Sequence, residues 1–176
     1  AFGTSAGFSR SAGNLGWVGL HSGGVVWALG TMAGLYVIGR RLFNRETGLI
    51  AALLYSIFQP WATPKNLAFN GELLMNLPLV WAWAIGFGSG TSRWRPELFA
   101  AGVFLCAGFL LKQPAAIAAV PLGSYLLLPG YRASRRVTWP DSIIQAGILT
   151  VGFFAMLGLA AIVLQCQGIL REAVHW

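Results

Sequence analysis

Charge in this 176-residue chain is confined to short clusters, and the stretches between them are uninterrupted and apolar. Arg40, Arg41 and Arg45 form one cluster, Arg93 and Arg95 a second, and Arg132, Arg135 and Arg136 a third. Hydrocarbon tolerates ionised side chains only near helix ends, so clustering of this kind is what a membrane bundle requires. Only 10% of the residues are charged, against roughly 25% in soluble domains. The mean hydropathy of +0.66 agrees. The fold class expected is all-α, a polytopic transmembrane helical bundle with about six helices.

A net charge of +7 and a pI near 10.3 would also suit a nucleic-acid binder. That class is excluded because the arginines lie in the gaps between apolar runs and form no continuous basic face. The partners implied are membrane lipids, with no nucleic acid. Cys106 and Cys166 lie inside apolar runs, without metal or disulfide spacing, and read as apolar fillers. Residues 1–16 are rich in Gly and Ser and lack the basic start and apolar core of a signal peptide. The chain is expected to be an internal piece of a longer protein. Residues 1–21 would end an extracytoplasmic loop, 22–170 would form the bundle, and 171–176 would begin a further extracytoplasmic segment.

Six segments are drawn: about Ser22 to Gly39, Thr47 to Gln59-Pro60, Leu73 to Phe87, Leu98 to Leu111, Pro114 to Leu128 and Ser142 to Leu164. Gly30 and Gly34 make a small-xxx-small pair that permits close helix approach. The three arginine clusters fall in alternate loops, whereas Lys65, Lys112 and Arg171 fall in the others and Arg10 lies near the start. The positive-inside rule puts the arginine loops in the cytoplasm and the Pro60–Glu72 loop and the Lys112 turn outside. Read as one helix, residues 98–128 would span roughly 45 Å, too long for a ~30 Å core. Two short helices meeting at Leu111-Lys112-Gln113-Pro114 are therefore expected, with Lys112 in a cavity at outer-leaflet depth.

Two residues are the main candidates to carry chemistry. Glu72 follows Asn70, an expected N-cap, and falls in the first turn of the third helix. It either complements the helix dipole or serves an outer cavity as metal ligand or acid/base group. Lys112 is either a snorkelling or helix-end cation, or the seat of a phosphate in a partly dry cavity. Lys65 and Arg10 lie nearer bulk water and are weaker candidates. His21, at the mouth of the first helix, reads as interfacial, as do Trp61, Trp94, Trp139 and Trp176. No phosphate-cradling glycine loop or Ser-His-Asp set is present in the sequence.

The run Gly39-Arg-Arg-Leu-Phe-Asn-Arg-Glu-Thr-Gly-Leu-Ile-Ala-Ala-Leu-Leu-Tyr resembles the second-helix region of polytopic GT-C glycosyltransferases. This is the family of protein O-mannosyltransferases and the lipid A aminoarabinose transferase. Asn70-Gly-Glu-Leu-Leu-Met is similar to its acidic helix start after the second outer loop, and Gly108-Phe-Leu-Leu-Lys-Gln-Pro to its Gly-x-x-x-(Thr/Leu)-Lys-x-Pro turn. The resemblance implies inverting transfer of a sugar from a polyprenyl-phosphate donor to a lipid, protein or glycan acceptor outside the plasma (inner) membrane. Glu72 would then act near a divalent metal or the acceptor. Lys112, with Lys65 and Asn70, would bind substrate, Lys112 meeting the donor phosphate. One departure is plain: the family's catalytic Asp belongs to its first outer loop, and here no Asp precedes Asp141. That loop would lie upstream of Ala1, and this piece alone would be inactive. The alternative is a secondary transporter or lipid flippase, though no repeat relates the two halves of the chain.

Overall fold

A computed structural model of the chain describes residues 5–62, 71–88, 95–127 and 138–168, with side chains described over 22–59, 73–88, 95–127 and 138–168. Among the described residues six α-helices follow one another: α1 (Ser5–Leu42), α2 (Arg45–Ala62), α3 (Gly71–Gly86), α4 (Glu97–Leu111), α5 (Ala119–Leu127) and α6 (Trp139–Cys166). A 3-10 segment, Gln113–Ala118, leads into α5. No strand occurs among the described residues. The all-α expectation holds, and Ser22–Leu42 and Trp139–Cys166 are long and apolar enough to cross a membrane.

Several boundaries differ from those expected, and the fifth segment, expected as a short helix from about Pro114 to Leu128, opens as the 3-10 segment and becomes α-helical only at Ala119. α1 begins at Ser5, well before Ser22, because no proline precedes Pro60 and nothing blocks the helix through its Gly/Ser-rich start. α2 continues through Pro60 to Ala62, where a proline in the last turn removes only one terminal ladder bond. α6 starts earlier, at Trp139, with Pro140 in its first turn, where the missing N–H is no loss.

From α1 to α5, consecutive helices alternate in direction. The α1–α2 hairpin closes over Leu42–Asn44, with Gly39 packed on the backbone of Gly48 and the Thr47 N–H donating to Asn44 Oδ1 at 2.7 Å. α1 and α3 run parallel: Trp27 meets Leu74, Gly34 meets Val80, and Arg41 meets Ala84. Gly30 and Gly34 do serve this contact, against the side chains of Leu77 and Val80. α4 returns antiparallel to α3, since Arg95 lies by Ile85 and Gly108 by Leu79. α5 runs parallel to α3, pairing Trp83 with Ala118 and Phe87 with Tyr125.

The core sits where α3, α4, α5 and α6 meet. Ala82, Leu105 and Leu122 are buried there, enclosed by Leu79, Trp83, Phe87, Leu149 and Phe153. α4 and α6 cross backbone to backbone. A Cβ on Gly102 would collide with the Leu149 carbonyl oxygen, and one on Gly152 with that of Phe99. Such approach replaces the hydrophobic drive that lipid does not supply between helices. Leu53, Ile57 and Phe58 on α2 and Val151, Phe154 and Ile162 on α6 are all more than half exposed. Water would penalise apolar faces of this extent, whereas hydrocarbon solvates them.

Arg40, Arg41, Arg45 and Arg95 gather at one end of the bundle, as their alternate loops predict. Two of them close the C-terminus of α3: Arg41 Nη1 donates to the Ala84 carbonyl and Arg95 Nη2 to that of Ile85 at 3.2 Å. These carbonyls carry the negative end of the helix dipole, so guanidinium groups are favoured there. Arg95 is 2% exposed and its Nε also pairs with Glu97 Oε1 at 3.0 Å. Arg95→Ala is expected to destabilise the full-length protein by about 1–3 kcal/mol, because it removes the charged donor from the Ile85 carbonyl, which then keeps only the Gly88 N–H, and strips Glu97 of its partner. Arg95→Lys should recover part of that. Detergent unfolding titrations measure both, and equal stability of the Ala variant and wild type would show that the cap contributes nothing.

Candidate functional site at the Lys112 break

The end of the bundle opposite the arginines is built by the start of α3 and the junction between α4 and the 3-10 segment. Gly71–Leu77 open α3, and Pro78 lies inside the helix. Glu72 therefore stands in the first turn of α3, as expected, with its side chain outside the described residues. Lys65 and Asn70 also lie outside them, as do Arg171, His175 and the side chains of Arg10 and His21. His21 itself is mid-helix in α1 and does not open it.

Lys112 interrupts the helical path as expected. Its backbone is extended, with φ −156° and ψ 119°. Its N–H still donates to the Gly108 carbonyl at 3.1 Å, and its carbonyl accepts from the Ala115 N–H at 2.9 Å. The local cause is Pro114 in the first turn of the 3-10 segment: it has no N–H to give the Leu110 carbonyl and its ring would clash there, so α4 cannot run on through it. Both backbone groups at the break are satisfied within the protein, the condition for irregular backbone at membrane depth. The Lys112 side chain is half-buried. It sits at the C-terminus of α4, where a cation is favoured by the dipole.

The antiparallel register of α3 and α4 sets the level of the break. Gly108 faces Met75 and Leu79. One turn beyond Gly108 lies Lys112, and one turn before Met75 lies Glu72. The two positions chosen from sequence thus share one end of one helix pair, level with each other. Among the described residues, no three His, Cys, Asp or Glu side chains gather into a metal-holding group.

Sequence reasoning missed the side-chain bonds that tie α3 to its neighbours along its length. Three indole N–H groups reach backbone carbonyls on neighbouring helices: Trp27 to Leu74 at 3.1 Å, Trp81 to Gly30 at 3.1 Å and Trp83 to Ala118 at 2.9 Å. Tryptophan outside the interfacial belt was the available signal, because an indole N–H in hydrocarbon must find an acceptor.

Helices with long apolar outer faces, a charge-poor core and a basic end make this an all-α membrane protein. Its class is that of the GT-C membrane glycosyltransferases. The family model for dolichyl-phosphate-mannose-protein mannosyltransferase matches residues 7–163, and the chain belongs to that family. No curated protein and no solved structure matches the chain.

Proposed function

We propose that the chain forms part of a multi-pass transferase that moves a sugar from a polyprenyl-phosphate donor to a protein, lipid or glycan acceptor on the extracytoplasmic face. The family supports the reaction class and, in general terms, a polyprenyl-phosphate donor and protein or glycan acceptors. The observation that carries the site is the register pairing the first turn of α3 with the Lys112 break, at the end away from Arg40, Arg41, Arg45 and Arg95. With the arginine end cytoplasmic, the Glu72–Lys112 end faces outside.

In this reading Lys112 holds the donor phosphate, its ammonium offsetting the charge left on the phosphate as the glycosidic bond to the sugar breaks. Glu72 acts near the acceptor, as a base for its hydroxyl or as a ligand to a divalent ion. Lys65 and Asn70 complete substrate binding from the adjoining loop.

The test is reconstitution of the full-length protein in liposomes carrying a polyprenyl-phosphate mannose labelled in the sugar. Label appearing on a protein or lipid acceptor, with free polyprenyl phosphate released, supports the transferase. Labelled donor that crosses the bilayer intact, with no covalent transfer, favours the transporter reading.

A further inference from the structure

Pro78 has no N–H, so the carbonyl of Leu74, four residues earlier in α3, loses its helical donor. That same carbonyl receives the indole N–H of Trp27, at 3.1 Å, from α1. The other two indole bonds differ in kind. Gly30 and Ala118 are followed four residues on by Gly34 and Leu122, both of which carry an N–H. Of the three, the Trp27 bond alone meets a carbonyl deprived by proline.

We infer that Trp27 is a positioning residue for the site end of α3, acting by supplying the hydrogen bond that Pro78 removes. The inference rests on the transferase reading for its functional consequence. Residues 71–77 lie on the N-terminal side of the proline, where the missing ladder bond loosens their tie to the rest of the helix. This segment includes Glu72. The Trp27 bond joins its carbonyl face to α1 and so fixes the direction in which the first turn points. Gly30 makes the approach feasible, since a Cβ there would stand 2.7 Å from Leu77 Cδ1. An unpaired carbonyl in hydrocarbon is costly, which gives the bond its grip.

The variants that test this are Trp27→Phe, Pro78→Ala and the two combined, each in the full-length protein. Hydrogen exchange over a peptide covering residues 71–77 is expected to quicken about tenfold in Trp27→Phe. In the combined variant the alanine that replaces Pro78 returns an N–H to the Leu74 carbonyl, and exchange should fall back toward wild type. Sugar transfer should follow the same order, with the loss in kcat and little change in KM for the donor. The positioning role is overturned if Trp27→Phe matches wild type in exchange. It is also overturned if the combined variant is no better than Trp27→Phe, or if exchange responds while kcat does not. Should Trp27→Phe fail to accumulate, rescue of accumulation by Pro78→Ala supports the inference and absence of rescue rejects it. Exchange is read without turnover, so a failed transferase reading remains distinguishable from a failed positioning role.

Discussion

Glu72→Gln in the full-length protein is expected to cut sugar transfer by about 10²- to 10⁴-fold, the usual worth of a positioned acid or base. The substitution keeps size and hydrogen-bonding reach but removes the carboxylate charge and its basicity. Insertion and helix content should not change, because the residue stands in the first turn of α3, where an uncharged amide is still accommodated. Its dipole contribution there is only about 0.3–1 kcal/mol. Circular dichroism and size-exclusion behaviour separate that loss from a loss of chemistry. Transfer at the wild-type rate would remove Glu72 from the reaction and leave it a helix-start residue. A fall in donor affinity with kcat intact would instead move it from chemistry to binding.

The largest stability effect is expected at the α4–α6 crossing. Gly102→Ala places a methyl group against the Leu149 carbonyl, and Gly152→Ala places one against that of Phe99. Neither obstacle is the end of a flexible side chain, so the helices must separate. Overpacking of this kind costs about 1–3 kcal/mol. The pair shares one crossing, so the double variant should cost clearly less than the sum of the two singles. Unfolding titrations in mixed micelles give the three values. Strict additivity would mean the two glycines do not act on the same contact.

Much of the bundle was legible because charge and hydropathy dictate it. The expected fourth helix, Leu98–Leu111, differs from α4 by one residue at its start, and the break at Lys112 follows from Pro114 and the length of the run. The start of α1 was not legible, since a Gly/Ser-rich stretch argues for a loop unless the absence of proline is weighed more heavily. Gly30 and Gly34 stood out as a spaced pair, yet the closer backbone approach is made by Gly102 and Gly152, single glycines on separate helices. No local pattern links residues that meet only through tertiary packing. The same holds for Trp27 and Pro78, whose complementarity emerges once α1 and α3 lie parallel in register. At the candidate site, residue type and position pointed to Glu72 and Lys112. That they stand level depends on the antiparallel pairing of α3 with α4, which the sequence does not spell out.

α3 is held very differently at its two ends. Its C-terminal carbonyls are gripped by two cationic side chains, Arg41 and Arg95, while the segment before Pro78 is joined to α1 by a neutral indole bond. Charge-assisted bonds are roughly twice as strong as neutral ones. Mechanical compliance is therefore uneven along this helix, stiff at the basic end and soft at the other. A load applied at the soft end would swing residues 71–77 about Pro78 and leave the arginine-held turn in place.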